Sequence, residues 1–126
     1  MNRQAISTTN APGAAGPYSQ AIAAGELVFC AGQTGRDPAT GRLAEGVEAQ
    51  ADRVLRNLAA VLDAAGCSFA DVVKTTVFLV DIADFGAVNA VYMTHMTDPP
   101  PARSTVAVAA LPGGARVEIE AIARRP

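Results

Sequence analysis

Tryptophan is absent, tyrosine and phenylalanine number only two and four, and there is a single histidine. With few rings and abundant alanine and glycine, the core must be filled by close aliphatic packing. The lone His95 has nothing beside it that would form a nucleophilic triad, and it reads as a surface residue near the end of a helix. Two cysteines, Cys30 and Cys67, make no disulfide framework and show no zinc-binding spacing, so they are expected to be buried, reduced thiols. Charged residues make up 17% of the chain and balance to a net −2, with no run of Lys or Arg. That argues against a protein that binds nucleic acid by neutralising phosphates. No segment approaches the roughly 20 apolar residues of a membrane span. The longest apolar strand, Val72 to Val80, carries Lys74, and residues 1–7 hold no apolar stretch of signal-peptide length. A soluble, cytoplasmic protein is expected, with no membrane partner.

What is present is apolar surface: 50% of the residues are hydrophobic, which suits a compact fold or an oligomer that hides more surface between chains. No repeat, linker or low-complexity stretch divides residues 1–126, which read as one domain. Ala11 to Tyr18 is a Gly/Pro loop. Ser19 to Ala23 and Glu26 to Ala31 read as strands around Ala24-Gly25, and Asp37 to Gly41 as a turn. Gly32-Gln33-Thr34-Gly35 lacks the lysine and spacing of a phosphate loop and reads as a turn.

From Gly46 the period changes. Val47, Ala51, Val54, Leu55, Leu58, Leu62 and Ala65 recur at helical spacing, and Gly66 supplies the stop. Val72 to Val80 is rich in β-branched residues and reads as a central strand. Asp81 or Asp84 caps a second helix with a stripe of Phe85, Val88, Tyr92 and Met96, ended by Asp98 and three prolines. With a short first strand near Gln4 to Ser7, the order is β-β-β-α-β-α-β-β. This is an α+β fold, a mixed sheet with two helices on one face and the other face open in a monomer.

The last two strands flank Pro112-Gly113-Gly114 and read as a hairpin that carries one arginine and two glutamates among apolar residues. Arg103, Glu118 and Glu120 beside a buried surface need partners or a task. With Leu111 opposite Ala115, Val108 faces Glu118 and Arg103 faces Ala123, which separates Arg103 from Glu118 by roughly 17 Å. If both act on one small substrate, one must come from a neighbouring chain, in a cyclic homo-oligomer. Alternation puts Val117, Ile119 and Ala121 toward the helices and Glu118, Glu120 and Ile122 toward that interface.

Six segments, in order, resemble the RidA/YjgF/L-PSP family nearly end to end. They are Gly16-Pro17-Tyr18-Ser19-Gln20-Ala21, Ala31-Gly32-Gln33, Val73 to Leu79, Phe85 to Tyr92, Pro101-Ala102-Arg103-Ser104, and Val117 to Ala123. The resemblance implies a chorismate-mutase-like fold and a homotrimer whose inter-subunit clefts hydrolyse 2-imino or 2-enamino acids, such as 2-aminoacrylate, to 2-keto acids and ammonia. It implies no cofactor and no metal, although such substrates escape from pyridoxal-phosphate enzymes. By the family pattern Arg103 matches the arginine that holds the substrate carboxylate, a task suited to a planar guanidinium, and Glu118 the glutamate that activates water. Tyr18, Gly32 and Asn89 match pocket-lining positions, and Glu120 is left as structural.

Two departures stand out: Thr105 replaces the usual cysteine of the substrate-binding stretch, and the segment from Tyr92 to Arg103 is shortened, with a proline tripeptide at the pocket rim. The first is mild if the position acts through its backbone and puts any thiol chemistry there in doubt; the second reshapes the pocket rim, so a different substrate preference is expected. The same resemblance leaves room for an endoribonuclease or translation inhibitor, a non-enzymatic ligand-binding trimer, or a pathway-specific deaminase of aminomuconate type. The charge balance and the lone histidine weigh against the RNA-directed reading.

Overall fold

A computed structural model describes residues 2–126. In chain order it contains β1 (Arg3–Ile6), β2 (Ala21–Ala24), β3 (Leu27–Thr34), α1 (Val47–Ala64), β4 (Val72–Leu79), α2 (Phe85–His95), β5 (Ala102–Ala107) and β6 (Val117–Arg124). The strands form one mixed sheet in the order β1-β2-β3-β6-β4-β5, antiparallel except for the parallel pair β4–β5. The expected α+β architecture is present. No helix among the described residues is long and apolar enough to cross a membrane.

The helix α1 buries the predicted face, Val47, Ala51, Val54, Leu55, Leu58 and Leu62, together with Val61. Gly66, at φ 77°, turns the chain so that its own N–H reaches Asp63 O at 2.9 Å and Cys67 N–H reaches Leu62 O at 2.8 Å. Those bonds satisfy carbonyls that a bare helix end would leave open. Asp81, not Asp84, caps the turn ahead of α2, accepting from Ala83 N–H at 2.9 Å. Asp84 instead pairs with Arg116 at 2.9 Å.

The C-terminal hairpin is not formed. The crossover through α2 lays β5 parallel beside β4, with Arg103 opposite Thr75. The chain then passes over the end of β4, where Val108 N–H donates to Leu79 O and Val80 N–H to Arg116 O. Inserted between β3 and β4, β6 has neighbours on both edges, so its main-chain donors and acceptors are paired on either side. Gly32 to Thr34 is likewise not a turn: β3 continues through it, with a register irregularity between Cys30 and Gln33.

Both helices pack on one face, over Val28, Val77, Leu79, Val117, Ile119 and Ala123. Opposite strand partners share a face, so Ile22, Phe29, Ile122, Phe78 and Val106 line the other one, where Phe29 and Val106 are exposed. Of the stripe expected on α2, only Val88 and Tyr92 are buried, and Phe85 is exposed at the sheet edge. His95 is half-buried instead of free on the surface. Its Nε2 lies 2.8 Å from Asp52 Oδ1 and its ring meets Phe69 edge-on, tying the end of α2 to α1. Cys30 and Cys67 are free and buried as expected, and burial, with Cys67 nearby, pushes the Cys30 thiol up to about 12.

A buried hydroxyl pair, Thr75 Oγ1 and Tyr92 OH at 2.7 Å, joins β4 to α2. Tyr92→Phe leaves the Thr75 hydroxyl without a partner and is expected to cost about 1–3 kcal/mol of stability. Adding Thr75→Val removes the stranded group, so the double variant should unfold in denaturant nearer to wild type than the single one. A double variant at least as unstable as the sum of the singles would refute this account.

Candidate active site

The register of the sheet places Arg103 and Glu118 on opposite faces. Arg103 stands beside Thr75, which is 1% exposed under the helices. Glu118 stands beside Phe78 on the open face, between buried Val117 and Ile119. Three residues along β4 and two strand spacings put their backbones about 14 Å apart. Their side chains then diverge, so the expected separation holds although the hairpin behind it does not.

Arg103 is held by α2. Its Nη2 donates to Asn89 Oδ1 at 2.6 Å, and its guanidinium carbon lies 4.7 Å from the centroid of the Tyr92 ring and 5.5 Å from that of Phe85. Aromatic faces attract a cation and fix its plane. Among the described residues Arg103 forms no ion pair with a carboxylate. It opens on a groove of about 570 Å³ with Asn89, Met93, Met96, Pro100 and Pro101 in its wall. Pro100 and Pro101 of the proline tripeptide therefore stand on the rim of this groove.

Thr105 lies on the same face as Arg103, two residues on, and its Oγ1 is buried with no hydrogen-bond partner. Because Val108 N–H bonds to β4, the two-residue period turns the N–H groups of Arg103 and Thr105 toward the free edge of the sheet. The side chain of Thr105 reaches neither cavity; its main chain is the part available to a ligand.

Tyr18, Gly32 and Glu118 come together in a second, smaller cavity of about 120 Å³ on the other side. A Cβ on Gly32 would lie 2.8 Å from Glu118 Cδ, so only glycine leaves the carboxylate where it is. Tyr18 is 51% exposed and its hydroxyl accepts from Ala15 N–H at 3.1 Å. Gln20, 5% exposed, pins this loop by accepting from Thr8 N–H at 2.7 Å and donating to Pro12 O at 2.7 Å. Burial, and secondarily Glu120, raises the Glu118 carboxyl above its ordinary value. A carboxyl so placed exchanges protons nearer neutrality.

Of the six residues singled out from the sequence, Arg103, Asn89 and Thr105 thus share one side, and Tyr18, Gly32 and Glu118 the other. Tyr92 and Phe85, which pack on Arg103, and Gln20 and Arg36, which line the smaller cavity, were not singled out from the sequence as site residues. Tyr92 follows Asn89 by three residues on α2, a spacing that could have suggested a shared face. No local pattern points to Arg36. Among the described residues no three His, Cys, Asp or Glu side chains group as metal ligands.

Because the folded-state value for Glu118 is raised, the folded chain holds this proton to higher pH than the unfolded chain does. Its ionisation therefore subtracts stability as pH rises past the unfolded value near 4.5, and contributes nothing well below it. Glu118→Gln is expected to be more stable than wild type in denaturant at pH 7, with the difference vanishing toward pH 4. A gain that persists unchanged at pH 4 would contradict this.

Three comparisons bear on this geometry. The family model described as Endoribonuclease L-PSP matches residues 8–125. A 2-iminobutanoate/2-iminopropanoate deaminase of Mus musculus is 53% identical over 96% of this chain and 90% of its own length. The crystal structure of RidA from the Antarctic bacterium Psychrobacter sp. PAMC 21119 superposes with TM-score 0.94 at 49% identity, covering 96% of this chain and 98% of that one. E. coli TdcF with bound serine superposes with TM-score 0.93 at 44% identity, covering 98% and 99% of the two chains.

Proposed function

We propose, for a chain that belongs to the endoribonuclease L-PSP family and is similar along its length to deaminases of that family, that it hydrolyses 2-imino and 2-enamino acids to 2-keto acids and ammonia. The observation that carries this reading is Arg103, a guanidinium oriented by Asn89 and two rings yet lacking a carboxylate of its own. A 2-imino acid supplies that carboxylate, received bidentately by the guanidinium and by the outward N–H of Thr105. Serine bound to E. coli TdcF is an amino acid with the same head group.

The reaction needs a proton on the imine nitrogen, water at the imine carbon, and a proton to the departing ammonia. A carboxyl with a raised pKa, Glu118, protonates the nitrogen and, as carboxylate, takes the proton from the attacking water. Glu118, protonated again by that water, passes the proton to the carbinolamine nitrogen; as the C–N bond breaks the hydroxyl proton returns to the carboxylate, releasing ammonia and the keto acid. For an enamine, protonation at carbon first yields the imine.

Since Arg103 and Glu118 face away from each other across one sheet, the reading requires Glu118 from an adjoining protomer. A closed homotrimer of single-domain chains, with exposed Phe29 and Val106 covered at the interfaces, meets that need. A cytoplasmic location fits a role in removing by-products of pyridoxal-phosphate enzymes.

Imine generated in place by an amino-acid oxidase or a serine or threonine dehydratase tests the chemistry. Arg103→Ala is expected to lower kcat/KM about 100-fold or more, and Glu118→Gln to lower kcat by about 10²–10⁴-fold. Keto-acid release unaffected by the protein, or an Arg103→Ala variant as fast as wild type, would end the reading. Co-expression of the two inactive variants tests the shared site. Mixed trimers each regain one intact pair, about a quarter of wild-type activity. A site within one chain would regain none.

A further inference from the structure

The cavity that holds Glu118 also holds a cation with no counter-ion. Arg36 lines it beside Tyr18, Gly32 and Glu118. Its backbone is fixed from α1, where the fully buried Asn57 donates to Thr34 O at 3.1 Å and to Arg36 O at 2.9 Å. Gly35 lies so close to α1 that a Cβ there would come within 2.7 Å of Gln50 Cα. The guanidinium reaches two main-chain oxygens, Gly41 O at 2.8 Å and Gly113 O at 3.4 Å. Both are neutral. Like Arg103, Arg36 has no carboxylate partner among the described residues, Glu118 included, and it is the basic residue that lines this cavity.

A single protomer leaves this guanidinium hydrated. Closing the cleft with a neighbour removes that water, and an unpaired cation in a closed cavity is costly. An imino acid with an apolar side chain would leave the cost in place. One with a second carboxylate would remove it, because a planar fork of donors matches a carboxylate. The charges then balance: the substrate's two carboxylates meet Arg103 of one protomer and Arg36 of the next, with the C=N group between them beside Glu118.

We propose that Arg36 is a specificity-determining residue that binds a second carboxylate, so that the preferred substrates are 2-imino dicarboxylates such as 2-iminosuccinate or 2-iminoglutarate. This rests on the deaminase reading above and adds a substrate class to it. The competing occupant is an apolar side chain in the larger groove bordered by Met93, Met96, Pro100 and Pro101.

The test generates imines from aspartate, glutamate, 2-aminobutanoate and leucine with the matching oxidases and follows keto-acid release. Wild type is expected to favour at least one dicarboxylic imine over 2-iminobutanoate by about tenfold in kcat/KM. Arg36→Leu should lower that ratio by about tenfold or more, mainly through KM, and Arg36→Lys should restore part of it. Calorimetry on wild type should show 2-oxoglutarate binding more tightly than 2-oxobutanoate, which needs no variant to fold. A ratio at or below one, a preference for the leucine-derived imine, or a ratio unmoved by Arg36→Leu overturns the proposal while the deaminase reading stands. No acceleration of any imine removes both.

Discussion

Helices cover only one face of the six-stranded sheet, and the sheet itself therefore separates Arg103 from Glu118. The strand register sends the arginine under α2 and the glutamate out to the bare face. With backbones about 14 Å apart and the packed sheet between them, neither side chain can meet the other. Apolar side chains left on the bare face, Phe29 and Val106 among them, favour association with another copy. The division of the charged groups and the incompleteness of the apolar cover thus have one origin. The proposed oligomer, with another protomer against the open face, would resolve both.

Each half of the site is held by contacts of its own within one protomer. On one side, the Thr75–Tyr92 hydroxyl pair fixes the ring on which the Arg103 guanidinium lies, and Asn89 fixes its plane. The contact of His95 with Asp52 anchors the far end of the same helix. On the other side, Gly32 leaves room for the Glu118 carboxylate, and Gln20 and Asn57 satisfy the main chain of the loops that frame it. Preorganisation of this kind lets binding energy act on the reacting groups instead of on ordering the site.

Much of this could be read in advance, and the failures have definite causes. The helical period from Val47 to Leu62, the β-branched run of β4 and the alternation of β6 each encode a local face, and each was found where expected. Arg103 and Glu118 stood out because charge within apolar strands is expensive. The hairpin failed because strands flanking Pro112-Gly113-Gly114 look alike whether they pair with each other or admit β4 between them. His95 looked exposed because its partner Asp52 lies 43 residues away. Arg36 went unnoticed because nothing next to it in the chain marks a cavity wall.

The sequence by itself determined the order of the elements, the faces of α1, β4 and β6, and the residue types able to hold a carboxylate and move a proton. Those properties follow from neighbours within a few positions, where sterics and periodicity act. Only the tertiary structure decided which strands became neighbours, that Arg103 lies on the face opposite Glu118, and that Tyr92 stands beside the one and Arg36 beside the other. Strand order depends on pairing between distant segments, where burial of whole faces and satisfaction of both strand edges outweigh any local preference.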